Sequence, residues 1–230
     1  MMRCAALSLF LTLLLPLPVA AQAADGDWQL ASLRDGIEVH VRQRPDSALK
    51  AFRGVTRFQL DDPYTLVAAL NDYPHYPRWL HYVDAAEEFQ RSSPLERQLR
   101  LVVRLPWPLQ HREAILRATV TQEQPPPLAR VTVALESDNS LYPAQSGFVR
   151  FPMMRGVLTL QLLGAQQVEM TYQLELDPGG RVPSWLANLA LANAPYYTLL
   201  RLQRTLSRPE YADAGADIPY LQLRSAPEPP

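Results

Sequence analysis

An α+β fold, in which an antiparallel sheet grips one long helix near the C-terminus, is what this chain of 230 residues predicts. Three observations lead there. Most segments alternate apolar and polar residues with period two, only two stretches carry helical spacing, and the later of these is uncharged between Arg181 and Arg201. Composition narrows the class further. With 22 prolines an all-helical bundle is disfavoured, because each interior proline removes a backbone donor and clashes with the preceding turn. The 22 basic and 23 acidic residues leave a net charge of −1, without the positive excess that nucleic-acid binding requires.

Residues 1–23 read as a secretory signal. Arg3 is followed by an apolar run from Ala5 to Leu15, then Pro16 and Pro18, and the small-residue ending Ala21-Gln22-Ala23. An exported, periplasmic protein is therefore expected. The rival, an uncleaved membrane anchor, meets an apolar run shorter than the about 20 residues a span needs. Cys4, the only cysteine, lies in this leader, so the rest of the chain has no thiol for a disulfide, a thiolate nucleophile or a Cys-based metal site. Residues 24–207 form the expected domain.

Residues 37–43 and 49–60 are the first expected strands, turning at Pro45-Asp46. Asp62-Pro63 then opens a short helix, with Leu66, Val67 and Leu70 at helical spacing, and a Pro-interrupted turn follows through residues 73–83. Strands resume over 82–91, 95–105, 112–123, 128–137, 147–151, 155–163 and 167–177. The clearest places Val168, Met170, Tyr172, Leu174 and Leu176 on one face and Glu169, Thr171, Gln173 and Glu175 on the other. That dry face needs a cover, which residues 183–206 supply as a helix apolar nearly all round. A transmembrane reading of this helix is opposed by Asn188, Asn193 and Pro195 in mid-run. Residues 208–230 are polar and Pro-rich, and a mobile tail is expected.

Motifs of chemistry are missing: there is no Gly-rich phosphate loop, HExxH, G-x-S-x-G or acidic calcium loop. His75 and His81, six apart across a broken turn, do not share a helical face as a zinc pair would, so both are read as structural. His111, Arg112 and Glu113 are consecutive on a strand, where neighbours point to opposite faces and cannot converge on one substrate. The four tryptophans, Trp28, Trp79, Trp107 and Trp185, are read as packing anchors.

The run PWPLQHRE at 106–113 resembles the START family of lipid-transfer domains, which carry a Pro-Trp-Pro-like turn, an Arg-acid pair and a strand. Other landmarks follow in the family's order: DGIEVHVR at 35–42, YPRW at 76–79, GFVR at 147–150, MRG at 154–156 and TYQLELDPGGRVPSWLAN at 171–188. The resemblance covers about residues 27–207 and implies the helix-grip fold, a curved antiparallel β-sheet wrapped around a long C-terminal α-helix with a lipid-sized cavity between. It also implies a lipid or other hydrophobic small molecule as ligand, with transient membrane contact and neither metal nor organic cofactor. The segment 138–146, with Leu141 and Tyr142, occupies the place of a loop that covers the cavity mouth in similar proteins.

Strand parity sets Arg112, Ala114, Leu116 and Ala118 on one face and Leu99, Leu101 and Val103 on the facing neighbour. Val133, Tyr172, Leu189, Tyr196 and Leu200 complete the expected lining, with Tyr172, Tyr196 and Tyr197 able to orient a head group. Arg112 doubles as a candidate structural partner at the strand start. In the family's sterol-binding branch, an Arg six residues after the motif Arg pairs with an acid inside the cavity. Those places fall on Ala118 and Leu99, which argues against a sterol held by that contact. Non-catalytic binding or transfer is the expected function. The alternatives are a cyclase- or aromatase-like enzyme on the same fold and an interaction module whose interior is filled by its own side chains.

Overall fold

The structure is a computed structural model and describes residues 27–223, apart from 46, 106, 108, 124, 125, 127, 165 and 212–217. The leader assigned to residues 1–23 lies outside the described residues. Among the described residues ten strands form one sheet: β1 Gln29–Arg34, β2 Ile37–Gln43, β3 Lys50–Gln59, β4 Val83–Ser93, β5 Glu96–Val103, β6 Arg112–Glu123, β7 Arg130–Ser137, β8 Val149–Arg150, β9 Met153–Leu162 and β10 Gln167–Asp177. Nine run in the order β1-β2-β3-β10-β9-β7-β6-β5-β4, each antiparallel to its neighbours. The short β8 adds parallel to β6. Helices α1 Tyr64–Asn71, α2 Tyr76–Trp79 and α3 Ser184–Leu206 complete the fold. No helix among the described residues is long and apolar enough to cross a membrane.

The alternation read in the sequence appears as burial. On β10, Val168, Met170, Leu174 and Leu176 are buried, while Glu169 and Glu175 pair on the other face with Arg57 at 2.9 Å and Arg42 at 2.8 Å. Strand β3 sets Phe52, Gly54, Thr56 and Phe58 inward, and α3 lies against β2 and β3. Leu199 and Leu202 of α3 are fully buried, each contributing about 1.5–3 kcal/mol. The helix is also tied at its first turns, where Asn188 Oδ1 accepts from Lys50 N at 2.9 Å and its Nδ2 donates to Ala48 O at 2.9 Å. Gly179 and Gly180, both at φ +64°, turn the chain from β10 into α3 through the left-handed region that glycine enters without penalty.

Two expectations are corrected. The first strand pair is preceded by a further edge strand, β1, whose Leu30 and Leu33 are exposed. The tail from 208 is packed where it is described: Tyr211, Ile218, Leu221 and Leu223 are buried in the core. Tyr64 locks this segment, its hydroxyl donating to Leu221 O at 2.8 Å and accepting from Leu223 N at 3.1 Å. The folded unit thus reaches at least Leu223.

Candidate functional site

Between the sheet and α3 lies a cavity of about 410 Å³, adjoined by a smaller chamber of about 110 Å³. The two share Leu80, Leu101, Met154, Tyr172, Leu174 and Thr198 as walls. Leu189 lines the larger chamber and is 57% exposed, so that chamber reaches the surface beside the first turns of α3. The volume falls in the 300–1,000 Å³ range of small-molecule sites. Among the described residues no carboxylate lines either chamber, and no group of His, Cys, Asp or Glu could hold a metal ion.

Strand parity places most of the expected lining. Leu101 and Tyr172 line both chambers, Val103 and Leu189 the larger, and Leu99, Leu116, Ala118 and Val133 the smaller. On the helix the expectation fails for two residues. The cavity face of α3 is built from Leu186, Ala187, Ala190, Leu191, Ala194 and Thr198, at intervals of three and four. Tyr196 and Leu200 stand about 200° around the helix from Ala194 and Thr198. Tyr196 instead donates to Asp35 Oδ2 at 2.5 Å, under the Arg34 guanidinium at 3.8 Å, and Leu200 packs half-buried away from the cavity. Tyr197 is 38% exposed and stacks on His81 with ring centroids 5.0 Å apart.

Arg112 does not line the cavity either. It is buried and donates to the carbonyls of Pro178, Gly179 and Gln110, fastening the start of β6 to the turn that leads into α3. Burial lowers its pKa, and the three carbonyls compensate the buried guanidinium.

The segment expected to cover the mouth lies on the opposite face of the sheet. Glu113 points outward from β6, fully buried, and accepts from Arg100 Nε at 2.9 Å, Arg150 Nε at 3.0 Å and Gln145 N at 3.3 Å. Arg150 also donates to the carbonyls of Asn139, Tyr142 and Pro143, while the Tyr142 ring stacks on Phe89 at 4.8 Å. Leu141 and Tyr142 therefore belong to a strap over β4 to β6, because the buried carboxylate and its arginines hold the loop there. Burial alone would raise the Glu113 carboxyl, but the bonds from Arg100, Arg150 and Gln145 outweigh it and leave the pKa below the ordinary value. Its stabilisation is thus present above the unfolded value of about 4.3 and lost as pH falls through the lowered folded value. Glu113→Gln is expected to cost about 2 kcal/mol in urea unfolding at pH 7, less than a fully buried pair because both guanidiniums keep some solvent contact. The gap between the variant and the parent should narrow as the pH is lowered from 7 to 3, and an equal deficit at both pH values would refute this assignment.

Sequence reasoning missed three groups. The spacing of Ala187, Ala190 and Ala194, small residues where a helix faces empty space, was the available sign for the helical wall. His81 also lines the larger chamber. Burial and then Arg201 lower its pKa, so the ring is neutral at pH 7, and its buried Nδ1 has no hydrogen-bond partner among the described residues. Its backbone N donates to Thr198 Oγ1 at 3.1 Å. His75, by contrast, pairs with Asp72 at 2.6 Å outside the cavity. The third group closes the smaller chamber: Arg97, Asn71, Tyr73 and Tyr220. Arg97 shares the parity of Leu99, so its inward direction was readable.

The tryptophans divide. Trp79 is buried, and Trp28 lies beneath Arg42 and Arg53 at 4.6 and 4.8 Å. Trp107 and Trp185 are 92% and 68% exposed, which corrects their reading as packing anchors. Trp107 lies between the lining residues Leu105 and Leu109, and Trp185 precedes the lining residue Leu186.

No protein-family model matches the chain. An uncharacterized protein of Pseudomonas aeruginosa is 32% identical over 185 residues, spanning 80% of this chain and 89% of the relative. The phosphatidylcholine transfer protein of Mus musculus is 24% identical over 169 residues, 73% of this chain and 78% of that protein. A crystal structure of a STAR-related lipid transfer protein from Xanthomonas axonopodis superimposes with a TM-score of 0.71 at 32% identity, covering 79% of this chain and 99% of that one. With a sheet closed over a long C-terminal helix, a cavity between them, and this identity over almost the whole of a solved member, the chain belongs to the STAR-related lipid-transfer (START) family.

Proposed function

We propose that the protein binds a single-chain lipid or a similar hydrophobic molecule in the cavity and carries it, without chemistry, between surfaces of the cell envelope after export. The observation that carries this reading is the apolar cavity of about 410 Å³ between the sheet and α3. Each methylene withdrawn from water gains about 0.8 kcal/mol, so about 15 of them offer on the order of 12 kcal/mol before association and ordering costs. Solvation alone is sufficient to hold such a guest. The name of the Mus musculus relative supports a lipid as ligand, and the leader-like residues 1–23 support export.

Loading needs a way in. Trp107, Trp185 and Leu189 are exposed around the mouth, and tryptophan favours the boundary between hydrocarbon and headgroups, so this rim is the proposed point of transient membrane contact. Pro195 lies buried within α3 and has no N–H to give the carbonyl of Leu191, which leaves one rung of the ladder unmade beside the cavity wall. That gap lets the first half of the helix move from the sheet.

Ala190→Trp fills the cavity from its helical wall. Binding of a fluorescent fatty acid is expected to weaken about tenfold or more, while the circular dichroism of the folded protein is unchanged. Native mass spectrometry of the protein from its own envelope should show a lipid-mass adduct that the variant lacks. Undiminished uptake by the folded variant would place the ligand elsewhere.

A further inference from the structure

The smaller chamber differs from the larger in one respect. Its walls are apolar, yet one end carries a buried guanidinium. Arg97 is 4% exposed and stands opposite Ala118 of β6, whose methyl group leaves room beside it. Its Nη1 donates to Asn71 Oδ1 and to the Tyr73 hydroxyl at 2.9 Å, and its Nη2 to Pro94 O at 3.2 Å and the Tyr220 hydroxyl at 2.6 Å. All four acceptors are neutral, and Nε has no hydrogen-bond partner among the described residues.

The nearest carboxylate does not balance this charge. Glu88 Oε2 stands 3.9 Å from Arg97 Nε, but both Glu88 oxygens already accept from Arg91, at 2.7 and 2.9 Å. Two guanidiniums thus share one carboxylate, and a positive charge is left at the chamber wall. The phenols add donors. Tyr73 accepts from Arg97, Tyr220 accepts from Arg97 and from Asn71 Nδ2 at 3.2 Å, and neither hydroxyl donates to an acceptor among the described residues. Burial pushes the Tyr73 hydroxyl pKa up, so it keeps its proton at neutral pH. A buried cation and two uncommitted O–H groups on one small space are what an anionic oxygen acid requires.

We infer that the smaller chamber is an anion subsite, in which Arg97, Tyr73 and Tyr220 receive the charged end of an amphiphile whose chain extends through the larger chamber toward Leu189. This rests on the proposed function and narrows its ligand to acidic lipids that enter head first. A volume of about 110 Å³ suits a carboxylate or phosphate monoester with its first methylenes, not a second chain. The sterol-branch positions fall on the apolar Ala118 and Leu99, and the charge sits two residues before Leu99, at Arg97.

The test compares oleate, oleyl alcohol and oleoyl lysophosphatidic acid, each displacing the neutral dye Nile red from the full chain at pH 8. An acid is expected to bind about tenfold tighter than the alcohol. Tyr73→Phe and Tyr220→Phe should each reduce that preference about fivefold, because a lost O–H weakens the charged acid more than the neutral alcohol. Arg97→Gln should abolish it, and the phenylalanine variants keep the test decisive if this one fails to fold. A tighter oleate assigns the subsite to a carboxylate, and a tighter lysophosphatidic acid to a phosphate monoester. Equal affinity for acids and alcohol, or variants that weaken all ligands alike, overturns the anion subsite alone. Failure of every ligand to bind overturns it together with the function beneath it.

Discussion

Deletion of residues 208–230 is expected to lower the unfolding free energy by about 3–5 kcal/mol, the scale of emptying one or two large core positions. The segment contributes Tyr211, Ile218, Leu221 and Leu223 to the core, each at most 9% exposed. Besides the bonds to Tyr220 and an ion pair between Arg78 and Glu210, it is held at three further places. Tyr211 donates to Asp72 Oδ2 at 2.6 Å, Tyr64 joins Leu221 and Leu223, and Gln122 and Gln222 exchange bonds at 2.6 and 2.9 Å. Loss of the tail would remove the two bonds of the Tyr64 hydroxyl to Leu221 and Leu223 and uncover the side of α1 that packs on Pro209–Tyr211. It would also remove Tyr220 from the wall of the smaller chamber, admitting water to Arg97. Urea unfolding of the full and shortened chains measures the difference, and hydrogen exchange should show lost protection first in α1. A shortened chain with an unchanged midpoint would mean that the tail merely rests on a domain complete without it.

The difference between what was readable and what was not follows from where the polar residues fall. On the strands, one face meets water and the other does not, so alternation fixed direction as well as structure. Leu99, Leu101, Leu116 and Ala118 were placed on the cavity side for that reason, and all line it. Helix α3 carries no charge over most of its length, so its sequence holds no wet face from which to orient the dry one. Tyr196 and Leu200 were misplaced by that symmetry. Strand β1 was invisible because its edge position leaves Leu30 and Leu33 exposed and a register shift between Leu30 and Ser32 breaks the alternation. The tail misled through composition: prolines and charges surround a few apolar residues that do their packing far from their neighbours in sequence. The strap 138–146 was set at the mouth by its order in the chain, whereas its place is decided by Glu113, a contact no local pattern announces.

Gly54→Val is expected to destabilise the fold by about 3 kcal/mol, and the smaller change Gly54→Ala is expected to be destabilising as well. Glycine inside a strand ordinarily weakens it, so replacement by alanine should stabilise by about 0.5–1 kcal/mol. Here the opposite is expected. A Cβ on Gly54 would stand 2.7 Å from Leu199 Cδ1 and 2.9 Å from Pro195 Cβ, closer than carbon atoms approach without displacement. Leu199 is fully buried, and the proline ring has no rotamer that retreats. The backbone of α3 must move instead, and with it Ala194 and Thr198, which belong to the cavity wall on the same helix. Glycine is therefore the residue that lets the sheet and helix approach closely enough to enclose the cavity at this end. Gly156 supplies the control: its added Cβ would first meet Leu135 Cδ1 at 3.2 Å, the end of a side chain that can turn aside, so Gly156→Ala should cost less than Gly54→Ala. Equilibrium unfolding of the variants ranks them, and ligand dissociation should quicken only in the Gly54 series. An alanine at 54 that raised stability would show that α3 rides more loosely on the sheet than these contacts allow, and the cavity would then need another element to keep it shut.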